Sequence, residues 1–200
     1  MPPTALRPLP CQAAWRGLIG LLLATGLAAG TPARAQSQTR PTVAELEQQY
    51  RRGDAQGALQ RLEQALVAEP GQAPLRFLQA VLTADRGRST EAGVLFERMI
   101  EDFPDLPEPY NNLAVLRAGA GQLDSARHLL ETALRLDPGY RAAQENLGDL
   151  YLRLAVRAYG VAAQPASPSL GVEPALQRKL QQSRELLRTL GVAPQPRNSP

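Results

Sequence analysis

The sequence predicts an all-α solenoid of three to four helical hairpins, followed by one further C-terminal helix. Three observations predict it. Pro70, Pro104 and Pro138 are spaced 34 residues apart, and so are Gly53, Gly87 and Gly121, Ala58, Ala92 and Ala126, and Leu62, Phe96 and Leu130. Four tracks in one register mark a stack of helix–turn–helix units. Between these marks the apolar residues keep helical spacing, as Phe77, Leu78, Val81 and Leu82 do. The punctuation also fits. Glycine stands where a turn needs a left-handed backbone, and proline stands where a helix must stop.

The unit at residues 107–140 is the best formed, reading PEPYNNLAVLRAGAGQLDSARHLLETALRLDPGY. Ala114 and Ala126 are small, so its two helices can approach closely. Gly121 sits in the turn, and Pro138 ends the second helix. Leu113 and Leu130 are large enough to fill the space between neighbouring units. Together Tyr110, Leu113, Ala114, Gly121, Ala126, Leu130, Ala133 and Pro138 resemble the tetratricopeptide repeat closely. Arg117 replaces a tyrosine usual in that family. The resemblance implies a right-handed superhelical solenoid.

The unit at 73–106 keeps Gly87, Ala92, Phe96 and Pro104, but Arg76 and Gln79 stand where the family has an aromatic and a leucine. The unit at 39–72 keeps Gly53, Ala58, Leu62, Ala65 and Pro70, with Thr42 and Glu45 at the aromatic and leucine places. Terminal units are often atypical because one face meets water. A partial fourth unit, 141–160, matches through Leu147, Gly148 and Tyr151. Then Ala155 replaces the turn glycine, and Gly160 stands where alanine is expected. The stretch RLAVRAYGVAAQ reads either as a shortened second helix or as a continuation of the first.

Residues 1–35 are a different object. Arg7 and Arg16 precede an apolar run, LIGLLLATGLAAG, and Ala33-Arg34-Ala35 places small residues where a signal peptidase reads. This is the pattern of a secretory signal peptide cut after Ala35. The run is shorter than the ~20 residues needed to span a bilayer. The alternative is an uncleaved anchor. Cys11 precedes the apolar run, so a lipid-modified mature N-terminus is not supported. Removing Arg7, Arg16 and Arg34 lowers the basic count from 22 to 19, equal to the 19 acidic residues. A basic nucleic-acid face is therefore not expected. Cys11 and Trp15 leave with the segment, so the mature chain has no thiol, no disulfide and no thiolate metal site. The short arginine-based signal, the arginine bias and the absent disulfides point to a protein exported to the periplasm of a bacterium. After signal removal no membrane span is expected.

At the other end, residues 161–171 read as a linker rich in Ala, Pro, Ser and Gly. Residues 172–191 read as an amphipathic helix with Leu176, Leu180, Leu187 and Leu190 on one face, opened by Pro174 and closed by Gly191. It either caps the last repeat, which such stacks need, or detaches to bind a partner. Residues 192–200 are expected to be disordered.

No catalytic constellation is present. His128, the mature chain's one histidine, lacks a spaced partner in sequence and reads as a solvated surface residue. Glu101, Asp102 and Asp105 form an acidic cluster at a helix end, too sparse for a metal loop. No phosphate-binding glycine loop or serine elbow occurs. Neither a cofactor nor a metal is expected.

The resemblance implies a groove lined by the first helix of each unit. The residues it places there are Glu108, Asn111, Asn112 and Val115 in one unit and Glu145, Asn146 and Asp149, with Ala142, in the next. Asn112 and Asn146 are equivalent, and a side-chain amide both donates and accepts, so each is a candidate to hold a ligand backbone. The plainer alternative is that they only solvate a groove wall. Some family members bind an acidic C-terminal tail through Lys and Arg on this face. Glu108, Glu145 and Asp149 argue against such a ligand and favour a basic or neutral segment. The expected function is a non-enzymatic interaction module of the bacterial envelope with a protein or peptide partner. A structural envelope subunit, or a docking accessory of an envelope enzyme such as one acting on cell wall, are the alternatives.

Overall fold

The computed structural model describes residues 40–164 and 173–191. All regular structure among them is helical: α1 (Val43–Arg51), α2 (Ala55–Ala68), α3 (Ala73–Asp85), α4 (Ser89–Asp102), α5 (Pro107–Gly119), α6 (Leu123–Leu136), α7 (Arg141–Ala162) and α8 (Pro174–Thr189). The chain divides into two compact units. One ends at Glu69 and holds α1 and α2; the other starts at Pro70 and holds α3 to α8. The residues read as a signal peptide and as a disordered tail lie outside the described residues.

In the first unit, α1 packs on α2, burying Leu46, Ala58 and Leu62. Thr42 and Glu45, degenerate as repeat residues, have another task. The Glu45 N–H donates to Thr42 Oγ1 at 3.2 Å, and the Thr42 N–H donates to the Glu45 carboxylate at 2.9 Å. This capping box satisfies two backbone donors that would otherwise have no partner at the start of α1. Asp54 caps α2 by accepting from the Gly57 N–H at 2.9 Å. Gln49 Nε2 also donates to Asp54, at 2.7 Å, and these hydrogen bonds hold its carboxyl below the ordinary aspartate value.

In the second unit, α3 with α4 and α5 with α6 form helical hairpins. Their turns are made by Gly87 and Gly121, at φ of +78° and +82°, a region where any other residue is strained. Ala92 lies in a core with Ala80, Phe96 and Leu113. Ala126 lies in a second core with Ala114, Ala118, Leu123, Leu130, Ala133, Ala143 and Leu150. Ala114 and Ala126 are fully buried, so a larger side chain at either would separate α5 from α6. Arg76 stands in for the missing aromatic. Its guanidinium lies 5.3 Å from the Phe103 ring centroid and pairs with Asp102 at 2.6 Å. That ion pair gives Asp102, one of the three carboxylates at the end of α4, a structural role. Arg117, in place of tyrosine, pairs with Glu97 of α4 and so ties successive hairpins together.

The fourth unit has no turn. Without a glycine at Ala155 nothing breaks the backbone, and α7 runs unbroken for 22 residues. The stretch left open in the sequence is therefore a continuation of the first helix. Val161 and Ala162, assigned to the linker, are its last residues; 165–171 lie outside the described residues. The helix α8 lies against α7 with Leu180 and Leu187 buried. Leu190 departs from its expected face. It follows the last helical residue and is 54% exposed. Gly191, at φ +69°, ends the segment.

Candidate functional site

The residues expected to line the groove fall on α5 and α7, and the structure sorts them into two groups. Asn111, Asn146 and Val115 come together where α5 and α7 touch. Asn146 Nδ2 donates to Asn111 Oδ1 at 2.8 Å. Asn111 is only 1% exposed, so it serves as an interhelical contact and is not a free donor on an open wall. Asn112 uses its amide differently, donating to the Glu108 carbonyl one turn back in its own helix at 2.9 Å. Asn112 and Asn146 are thus equivalent in register but not in partner. The expectation that both amides wait for a ligand is corrected to that extent.

Glu108, Glu145 and Asp149 form the second group. Glu145 is exposed, while Glu108 and Asp149 are partly buried. Among the described residues none of the three is in an ion pair. Burial pushes the Glu108 carboxyl above its ordinary value, and the nearby Asp137 adds to the shift. Burial also raises Asp149; Arg153 opposes the rise and Glu145 adds to it.

Arg153 was not singled out by sequence reasoning. It is 8% exposed and donates from Nη1 to the Ala118 carbonyl at the end of α5, at 3.1 Å. A cation there also meets the negative end of the α5 dipole. Burial pulls its guanidinium below the ordinary arginine value, opposed by Asp149. Its Nε–H is buried without a partner. Ala114, Val115, Ala118, Leu130, Asn146, Leu150 and Arg153 line a cavity of about 10 Å³. The sequence did carry a signal: Arg153 interrupts the apolar spacing of Leu147, Leu150 and Leu154 on α7.

His128 is exposed on α6. Among the described residues no three His, Cys, Asp or Glu side chains are placed to hold a metal ion, and no helix is long and apolar enough to cross a membrane.

Two tetratricopeptide repeat family models match the chain, one over residues 46–107 and the other over 83–147. Residues 46–147 are tetratricopeptide repeats. The matches span α1 to the first part of α7, including the helices that carry the two asparagines and Glu108. Among curated relatives, the Protein CTR9 homolog of Arabidopsis thaliana is 32% identical over 103 residues, which cover 51% of this chain and 9% of that protein. The TPR repeat-containing thioredoxin TTL4 of Arabidopsis thaliana is 38% identical over 69 residues, covering 34% of this chain and 10% of that protein. The chain therefore spans about a tenth of each of these relatives, and the likeness lies in the repeats.

Proposed function

We propose that this chain is a non-catalytic interaction module that grips a segment of a partner protein along the first helices of its repeats. The tetratricopeptide repeats of residues 46–147 carry this reading, because stacked helical hairpins expose continuous surfaces suited to binding. The glutamate, aspartate and asparagine side chains on α5 and α7 offer polar contacts there. Within the reading, export to a bacterial periplasm follows from the signal-like residues 1–35, and the module serves the cell envelope. Crosslinking in envelope fractions with the mature chain as bait tests it. A discrete partner should be captured, and Asn112→Arg, checked for folding by circular dichroism, should abolish the crosslink by placing a bulky charge on the candidate face of α5. Turnover of a substrate by the purified chain, or a crosslink indifferent to Asn112→Arg but lost on changing α6, would refute it.

A further inference from the structure

The carboxylates of the second unit are treated unequally. Asp102, Glu97 and Asp124 each have an arginine partner, supplied by Arg76, Arg117 and Arg157. Glu108 and Glu145 have none, and Asp149 faces only Arg153, which forms no ion pair with it and is bonded instead to the Ala118 carbonyl. Burial already disfavours the charged form of Glu108 and Asp149. An unpaired, partly buried carboxylate is costly, and an arriving cation relieves that cost. The Asn111–Asn146 hydrogen bond joins the two helices that carry the three carboxylates, and Glu145 acts directly on Asp149. Glu108 lies one turn before Asn111 and Asn112. Glu145 adjoins Asn146, and Asp149 lies one turn beyond it.

Arg153 is nine-tenths buried with an unpartnered Nε–H, and it lines the cavity shared with Val115 and Asn146. At about 10 Å³ the cavity holds roughly one oxygen-sized group. A buried donor without an acceptor asks for one. A carboxylate is a poor candidate beside Asp149 and Glu145. A neutral carbonyl suits the donor and leaves the neighbouring carboxylates to bind cations.

We infer that this strip takes a cationic segment of a partner protein, whose Lys or Arg side chains pair with Glu108, Glu145 and Asp149 while one main-chain carbonyl is received at Arg153. The inference rests on the proposal that α5 and α7 form the binding face, and it names the chemistry of the occupant. Bidentate pairing makes arginine the better match for each carboxylate. The pairing should weaken with salt, since the strip is only partly shielded.

The test titrates the full chain with a fluorescein-labelled peptide of repeated Arg-Ala-Leu, and with its Glu-Ala-Leu and Gln-Ala-Leu counterparts, by fluorescence anisotropy. The arginine peptide should bind saturably and the glutamate peptide should not. The Glu145→Gln/Asp149→Asn double variant, isosteric and checked for folding by circular dichroism, should bind the arginine peptide about tenfold more weakly. Glu131→Gln, on α6, should leave binding unchanged. In a nitrogen–proton NMR spectrum the Arg153 Nε–H resonance should shift as the peptide saturates. No saturable binding at low ionic strength, or equal binding by the double variant, overturns the inference. If the glutamine peptide binds as tightly and Asn112→Arg, folded by circular dichroism, abolishes its binding, the face stands and the cationic partner falls. If the arginine peptide is lost on Glu131→Gln instead, the face itself is wrong. An Arg153 resonance unmoved through saturation assigns the cavity to an internal water and removes the carbonyl contact.

Discussion

Replacing Asn146 with alanine should destabilise the fold far more than a half-exposed polar residue normally does. Its amide donates to Asn111 Oδ1 at 2.8 Å. Losing that hydrogen bond removes about 0.5–1.5 kcal/mol net. The larger effect falls on the partner. Asn111 is 1% exposed, so water cannot replace the missing donor. Leaving a buried acceptor unsatisfied costs about 1–3 kcal/mol. That larger effect sets the expected cost at about 1–3 kcal/mol, read as a fall in the urea midpoint at unchanged slope. Replacing both residues by leucine of similar shape removes donor and acceptor together, and should come out nearly neutral. A double-mutant cycle of Asn111→Leu, Asn146→Leu and the pair isolates the coupling. An Asn146→Ala variant within about 0.5 kcal/mol of the parent would refute the reasoning, since that is the range of surface substitutions away from special features. So would a leucine pair whose loss equals the sum of the singles. Asn112, whose amide is bonded within its own helix, is the cleaner probe of partner binding.

Other expectations follow from single contacts. Ala126→Leu overpacks the fully buried contact between α5 and α6 and should cost about 1–3 kcal/mol by thermal or urea unfolding; an unchanged midpoint would contradict that placement. Glu108→Gln should stabilise the chain at neutral pH. A carboxyl raised above its ordinary value destabilises the fold when ionised, a penalty fully present above its folded value and gone below the ordinary 4.5. The variant's advantage should therefore shrink as pH falls through that window, and a pH-independent difference in urea midpoint would refute the assignment. Thr42→Ala breaks the capping box and should cost about 1 kcal/mol, seen in unfolding of the unit that ends at Glu69. If the signal reading holds, the N-terminal sequence of the exported protein begins at Gln36, and a chain retaining Met1 in the inner membrane would refute it.

Much of the fold was legible because its constraints are local. A left-handed turn admits glycine almost alone, so Gly53, Gly87 and Gly121 announce themselves, and all three adopt positive φ. Close helix contact admits only small residues, so Ala58, Ala92 and Ala126 recur on one track and all are buried. Thr42 and Glu45 were legible too, as the pattern of a capping box, but comparison with a repeat pattern hid it. Local chemistry had taken priority over the repeat there.

The candidate site was less legible, because its properties depend on which residues meet across helices. The composition of α5 and α7 places Asn111, Asn112 and Asn146 on first helices, and their types say only that they can donate and accept. Contact between α5 and α7 decided that Asn146 reaches Asn111, while Asn112 turns to its own backbone. Arg153 shows the same division. Its charge among the leucines of α7 is plain in the sequence. Its bond to the Ala118 carbonyl and its orphaned Nε–H exist only because α7 packs against the end of α5. Periodicity, turns and small-residue contacts are written along the chain, since each depends on residues close in sequence. Burial, pairing and the charge state of Glu108 and Asp149 arise only between segments, where packing removes water and sets the electrostatics.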